Sequence, residues 1–447
     1  MTATGDLAAR LAKAIGSQSV LAEPEELESY SLEELIPSII ARPASRHEVT
    51  EVVRFALAEK LTLLPLGSRS KHEIAMSPDR YDIALDMTAL NEIAHFDPGD
   101  LTLSVDAGMT LRDLEIRLKE KGQFLPLAVP CFESATVGGT VATGIDSALR
   151  MQYGSVRDFL IGAEFIDGTG QLRKSGKNAK LLVGSHGTLG VITRLNFRTF
   201  PLPASCGGHL AVFQTLQSAL EYRAAIEQSG LPLANIEMFS SSAAEMIRAI
   251  LQRSSEKFPP ELAEKGWFVY SSFEGNPEGV QRIGRDLQNN SGVAAMQDRI
   301  LETGEDEALG GMLRESFEWL RWASPFTLSC RLVLPSVRAL ASISQQAESE
   351  RLRSALLFRG CGIVYLSVFA ENENKETLQS LSRIANTVNA TARFENGHCS
   401  ILHAPLTIKR EMSGQILRQN EVALQKRVKQ AFDPANIFAP GRVVGGL

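Results

Sequence analysis

Glycines and small polar residues gather in a partly apolar stretch, SATVGGTVATG, from Ser134 to Gly144. Gly138, Gly139 and Gly144 lack a Cβ, so the backbone there can take positive φ and lie directly against a ligand. Val137, Val141 and Ala142 would hold the segment partly buried, and buried N–H groups need acceptors. A flat, polar, phosphate-bearing cofactor is one source of acceptors; a tight turn between two core strands is the other reading. A second loop, PLGSRSKH from Pro65 to His72, follows the apolar run LTLLPLG. Pro65, Leu66 and Gly67 lead into Ser68, Arg69, Ser70 and Lys71. This couples an amide nest to hydroxyls and cations, the chemistry of a phosphate cradle, although a solvated basic turn has the same composition. The loop is not a Walker loop, which needs two glycines and a GK[ST] end, nor the dinucleotide GxGxxG.

These loops need elements to hold them. Residues 4–16 have helical spacing, and 24–36 read as a second short helix. SIIARPAS is a strand. Ser45 then caps a helix to about Lys60, with Glu48 as its capping-box partner and Val49, Val52, Val53 and Ala56 inward. Short strands follow at YDIALDM, NEIAHF and LTLSVDAG, split by turn signals such as DPGD. Thr110 caps a helix to about Lys121 whose apolar set is Leu111, Leu114, Ile116 and Leu118. FLPLAVP ends at Pro130, just before the glycine-rich stretch. Gly154, Arg157 and Asp158 stand at the start of the strand LIGAEFI, and DGTG makes a hairpin turn. GSHGTLGVIT then carries Gly187 and Gly190 into a β-branched strand through Val191 and Ile192.

The chain has 447 residues, enough for two or three domains. A net charge of −6 gives no reason to expect nucleic-acid binding. No apolar run reaches 18 residues, so no membrane span is expected, and the N-terminus does not read as a secretory signal. Five cysteines are scattered with none in a CxxC pair, so neither a metal nor an iron–sulfur cluster is expected, and free thiols in the cytoplasm are the simplest reading.

Taken in order, PLGSRSKH, ATVGG, YGSVRD and GSHGTLGVIT, closed by PLP at Pro201–Pro203, resemble the flavin-binding module of the vanillyl-alcohol oxidase superfamily (PCMH-type). FDPANIFAPGRV (432–443) is similar to the terminal motif of its bacterial 2-hydroxyacid dehydrogenases. CRLVLP (330–335) and NGHCSILHAP (396–405) resemble one branch, the E subunits of glycolate oxidase or dehydrogenase. The resemblance implies an α+β fold: a two-subdomain FAD-binding module over residues 38–203, after an N-terminal helical arm (1–37). In the second half TLSCRLVLP and GIVYLSVFA read as strands, the first followed by a helix from about Ser336 to Glu350, and this α–β alternation suggests an antiparallel sheet with helices on one face; the resemblance makes 204–410 an α+β cap, with 411–447 returning to the FAD domain. It further implies that PLGSRSKH wraps the FAD pyrophosphate and that Thr136, Val137, Gly138 and Gly139 lie along the flavin and ribityl side. Arg157 and Asp158 would order the site, and Gly187, Gly190, Val191 and Ile192 would hold the ring edges. Pro130, Gly144 and Gly154 complete the cofactor-binding set. No RxGGH motif is present, so FAD is expected non-covalently, with His72 a loop residue.

Oxidising a 2-hydroxy acid needs a cation for the carboxylate and a base for the hydroxyl proton. A bidentate arginine and a neutral histidine suit those tasks. The candidates are Arg331, His398 and His403, with Lys409 and Arg442 as further cations; surface charge and satisfied loop histidines are the plainer reading of each. The resemblance implies a flavoprotein subunit whose electrons leave through an iron–sulfur subunit and a second flavoprotein. Any contact with the inner membrane would be made by those partners. A stand-alone dehydrogenase or oxidase of another hydroxy acid or alcohol, and a non-catalytic flavin-binding relay or scaffold, are the alternatives.

Overall fold

The computed structural model describes residues 3–254, 265–291, 295–322, 324, 326–335, 339–370, 374–412 and 419–442. Ser336, where the sequence places a helix start, and Val443 of the terminal motif lie outside them.

The first half holds two sheets. One is four-stranded, in the order Val20–Leu21, Ile39–Ala41, Ile83–Asp86, Leu63–Leu66, and its last three strands run parallel. Helix Arg46–Glu59 makes the crossover and buries Val49, Val52, Val53 and Ala56. Full burial of each valine is worth roughly 1.5–3 kcal/mol. Its cap is as expected at Ser45, which accepts from the Glu48 amide at 3.2 Å, but Glu48 reaches back to the Ala44 amide (2.9 Å). The second sheet is antiparallel, in the order Ile93–Asp97, Thr102–Asp106, Val191–Arg198, Leu160–Ile166, Leu172–Ser175. The second half is one eight-stranded sheet whose neighbouring strands all pair antiparallel. The α+β architecture expected from the sequence is the one found.

Five local expectations need correction. The glycine-rich stretch is neither a turn nor extended chain but a two-turn helix, Val137–Thr143. Thr136 caps it at one end, and Gly144 ends it in the left-handed region at φ 62. Only Pro24–Glu28 of 24–36 is helical. Ile116 is exposed, because helix Leu111–Lys119 turns only Leu111, Leu114 and Leu118 inward. Arg157 and Asp158 lie in a one-turn helix, Val156–Phe159, that precedes the strand. The large sheet carries helices on both faces. Alternate strand residues such as Met238 and Val269 pack in a cluster with Tyr222 and Leu287. Their neighbours Phe239 and Tyr270 share a second cluster with Ile247, Leu313 and the first half.

The C-terminal segment crosses back onto the first sheet. Leu63 donates to Ile437 (2.7 Å) and receives from Ala439 (2.8 Å), and Lys429, buried, grips Asp433 and the Thr188 and Phe438 carbonyls. The chain end is thereby brought to the edge of the site.

Candidate active site

Two cavities meet in the first half. The first is lined by Pro65, Leu66, Gly67, Ser68, Arg69, Ser70 and Lys71, by Thr136, Gly138 and Gly139, and by Gly187, Gly190 and Ile192. These thirteen residues come from three of the four sequence motifs. The remaining candidates lie elsewhere. Val137 and Val191 are fully buried core side chains. The Pro130 carbonyl accepts from Lys71 Nζ at 2.7 Å, so Pro130 supports the loop from behind. Gly154 sits against Asp158, whose carboxylate caps the Ser155 amide at 2.7 Å. Gly144 and Arg157 line the second cavity instead, and Arg157 holds the Val183 carbonyl at 2.7 Å.

The helix in the glycine-rich stretch makes the wall close-packed. Its first amides are already used: Val137 donates to Met109 (2.9 Å), Gly138 to Ala107 (2.8 Å) and Gly139 to Thr136 Oγ1 (3.2 Å). The expected need for a ligand acceptor at these amides is therefore met by the protein. The glycine at 138 serves close approach, since a Cβ there would stand 2.6 Å from the Ala107 Cβ and 2.9 Å from its carbonyl oxygen.

Three other atoms do need a partner. Thr140 Oγ1, His186 Nδ1 and Arg442 Nε are buried without a hydrogen bond, and all three residues line the first cavity. Orphaned buried polar atoms are costly, and a polar, anionic group in this cavity would satisfy them. The arrangement fits FAD. Sequence reasoning missed Thr140 and His186, though both stand inside the motifs it singled out. It assigned His72 to the loop. His72 lines the cavity too, but its ring nitrogens face the Arg69 and Ser31 carbonyls.

The second cavity continues the first at Thr143, His186 and Arg442 and runs to the large sheet. Arg331 and His398 line it from adjacent strands, where Arg331 pairs with Ser400 and Val333 with His398. His403 is absent from this lining; it lies near Glu73, with Nδ1 to Oε2 at 3.8 Å. The two histidines stand at opposite ends of one strand, His403 opposite Ser329 and His398 opposite Val333. Lys409 is committed elsewhere, to Glu33 at 2.6 Å and the Glu73 carbonyl at 3.0 Å.

Arg331 is not bare. Its Nε pairs with Asp146, which is buried and also pairs with Arg150. The Asp146 carbonyl accepts from Arg359 (3.0 Å), itself paired with Glu237 at 2.6 Å. Asp146 thus ties the first half to the large sheet. Burial, and then the nearby Arg331 charge, push the His398 pKa below the ordinary histidine value, which favours the neutral imidazole. Burial and Arg442 push His186 down to about 3.

Two family models match this chain: the FAD binding domain over residues 37–176, and the C-terminal domain of FAD linked oxidases over 208–443. The chain belongs to the FAD-linked oxidases. It is an FAD-dependent oxidoreductase of the vanillyl-alcohol oxidase superfamily. It is 33% identical over 409 residues to glycolate oxidase subunit GlcE of Escherichia coli (strain K12), covering 89% of this chain and 97% of that one. It is 23% identical over 475 residues to a D-lactate dehydrogenase of Anaerostipes hadrus, covering 96% of each. The fold is also that of p-cresol methylhydroxylase, with a TM-score of 0.79 at 15% identity over 99% of this chain and 97% of that one. Among the described residues no helix is long and apolar enough to cross a membrane, and no His/Cys/Asp/Glu group could hold a metal ion.

Proposed function

We propose that this FAD-linked oxidase oxidises the CH–OH group of a small 2-hydroxy acid, as the E-like subunit of a glycolate-oxidising assembly. The observation that carries the reading is the charge of the second cavity. Its described lining holds Arg150, Arg157, Arg331 and Arg442 against one carboxylate, Asp146. An anionic substrate suits such a lining. Arg331 would take the carboxylate, and neutral His398 would accept the hydroxyl proton. FAD, when bound, supplies the two-electron acceptor. The loop Gly67–Lys71, Thr136, the Gly138–Gly139 pair and Gly187–Ile192 would hold it. In this reading residues 38–203 bind the cofactor, 204–410 cap it and 411–447 close the site.

FAD would be held without a covalent bond, since both His72 ring nitrogens face carbonyls. Acid precipitation should release all of it. Electrons would pass to an iron–sulfur subunit alongside a second flavoprotein, a role supported by the likeness to a protein named as a subunit.

A stand-alone dehydrogenase is the second reading, favoured because Arg331, His398 and Arg442 all come from one chain. Anaerobic mixing of the FAD-loaded chain with glycolate, D-lactate and 2-hydroxyglutarate separates the two. Bleaching only after a cysteine-rich partner is co-purified from the native host supports the subunit. Bleaching by the lone chain supports the stand-alone enzyme. No bleaching in either, with loss of the partner's activity on deleting this chain, would make it a relay or scaffold and overturn the proposal.

A further inference from the structure

The loop that backs the phosphate cradle is held by a residue from the other half of the chain. Glu315 stands on the helix Thr303–Trp322 of the second half. Its carboxylate accepts from two consecutive main-chain amides, Cys131 at 2.6 Å and Phe132 at 3.4 Å. Two successive N–H groups aimed at one anion form a nest, and bonds to a carboxylate are stronger than neutral ones. The neighbouring Arg314 pairs with the same carboxylate at 3.1 Å and lays its guanidinium over the Phe132 ring, 4.8 Å from the centroid. Leu309, Met312 and Leu313 seat the helix in the cluster that joins the large sheet to the first half.

Cys131 needs such a hold. Its φ of 56 lies in the left-handed region, which a residue with a Cβ keeps only where its surroundings impose it. The turn it opens connects to the first cavity on both sides. Upstream, the Pro130 carbonyl accepts from Lys71 of the cradle at 2.7 Å. Downstream, the Cys131 carbonyl accepts from the Ala135 amide at 2.7 Å, and Ala135 lines the cavity just before Thr136 caps the glycine-rich helix. The turn therefore sets the spacing of these two walls, and Glu315 fixes the turn. No described residue of the helix Thr303–Trp322 itself lines either cavity.

We propose that Glu315 is a positioning residue for the cofactor. It holds the Cys131 turn in the shape that FAD binding requires, and so couples a helix of the second half to occupancy of the first cavity. This role needs FAD in that cavity and holds whatever the substrate is. Linkage makes the coupling reciprocal: what Glu315 adds to FAD affinity, FAD returns as protection of the helix.

The test uses the full chain stripped of FAD and titrated with it well below its melting temperature, and needs no substrate. FAD dissociation constants are read from flavin fluorescence for wild type, Glu315→Gln and Glu315→Ala. The Ala variant should bind FAD at least tenfold more weakly. The Gln variant, which keeps the packing and one acceptor oxygen, should fall between it and wild type. A merely structural role would lower the melting temperature of the FAD-free chain and leave the dissociation constant alone, so wild-type affinity in the Ala variant overturns the proposal. In a Lys71→Met background the link from the turn to the cradle is cut, and Glu315→Ala should weaken binding by a smaller factor than it does alone. Equal factors would show that the two residues act independently, and would also overturn it. Amide hydrogen exchange on the wild-type chain gives an answer that depends on no variant. FAD should slow exchange in Thr303–Trp322 by a larger factor than in Lys375–Phe394, a helix that packs on the other face of the large sheet. Equal slowing in the two helices would mean global stabilisation alone and defeat the assignment.

Discussion

The two cavities that meet at Arg442 are built on opposite plans. The first has a close-packed wall of glycines and small residues facing the cations of the loop, and the helix Val137–Thr143 behind that wall has its first amides satisfied from inside the protein. The second is walled by charged side chains that compete for one carboxylate: Arg331 and Arg150 both pair with Asp146. A wall of the first kind fixes shape and tolerates no added volume. A wall of the second kind fixes charge and orientation, so it tolerates volume better than a change of hydrogen-bonding geometry. Substitutions in the two should therefore fail in different currencies: cofactor retention in one, catalytic efficiency in the other.

The largest expected effect is on the first wall. Gly138→Ala places a methyl against the Ala107 backbone, which cannot move away as a flexible side-chain end can. Overpacking of this kind costs roughly 1–3 kcal/mol, and it falls on the helix that lines the cavity. The purified variant should carry little or no FAD and melt lower than wild type, as read by flavin absorbance per chain and by thermal unfolding. Full FAD content with wild-type melting would show that the wall yields, and the contrast between the cavities would collapse.

The same contrast explains what was legible in the sequence. The loop Pro65–Lys71 was readable because its nest, hydroxyls and cations are neighbours in the chain. The helix after Thr136 was not, although both its caps are plain. A glycine pair costs about 1 kcal/mol per residue in helix propensity, and two turns give little periodicity, so tertiary packing on Ala107 and Met109 decides the conformation. The large sheet followed from its strand patterns, but the helices on its second face belong to contacts with the first half. Asp146 was not singled out from the sequence, since its partner Arg331 is 185 positions away. Lys409 looked available because Glu33 is 376 positions away. His398 and His403 looked equivalent, but they stand at opposite ends of one strand.

Arg331→Lys tests the second wall. The charge survives, while the planar fork whose Nε pairs with Asp146 is lost. Loss of bidentate recognition should lower kcat/KM for the hydroxy acid by about 10- to 100-fold, roughly 1.4–2.7 kcal/mol. FAD content should match wild type, because Arg331 does not line the first cavity. A variant that lost FAD in step with activity would mean that the two walls are one site energetically, and the division drawn between them would be wrong.

The smallest effect concerns His398, whose protonation depends on that second wall. Its pKa lies below the ordinary histidine value, first through burial and second through the charge of Arg331. A protonated imidazole cannot accept the hydroxyl proton, so kcat/KM should rise with pH through this depressed pKa and be flat above it. Arg331→Gln removes the secondary cause and leaves the burial, so the rising limb should move to higher pH without reaching the unperturbed position near ~6.5. Arg331→Lys keeps the charge and should leave the limb where it is, although its plateau is lower. The ratio of Gln to Lys variant across the limb is the measurement, because it cancels the loss of the fork common to both. Identical limbs in the two variants would mean that the group titrating in kcat/KM does not feel position 331. The base would then have to be sought away from His398.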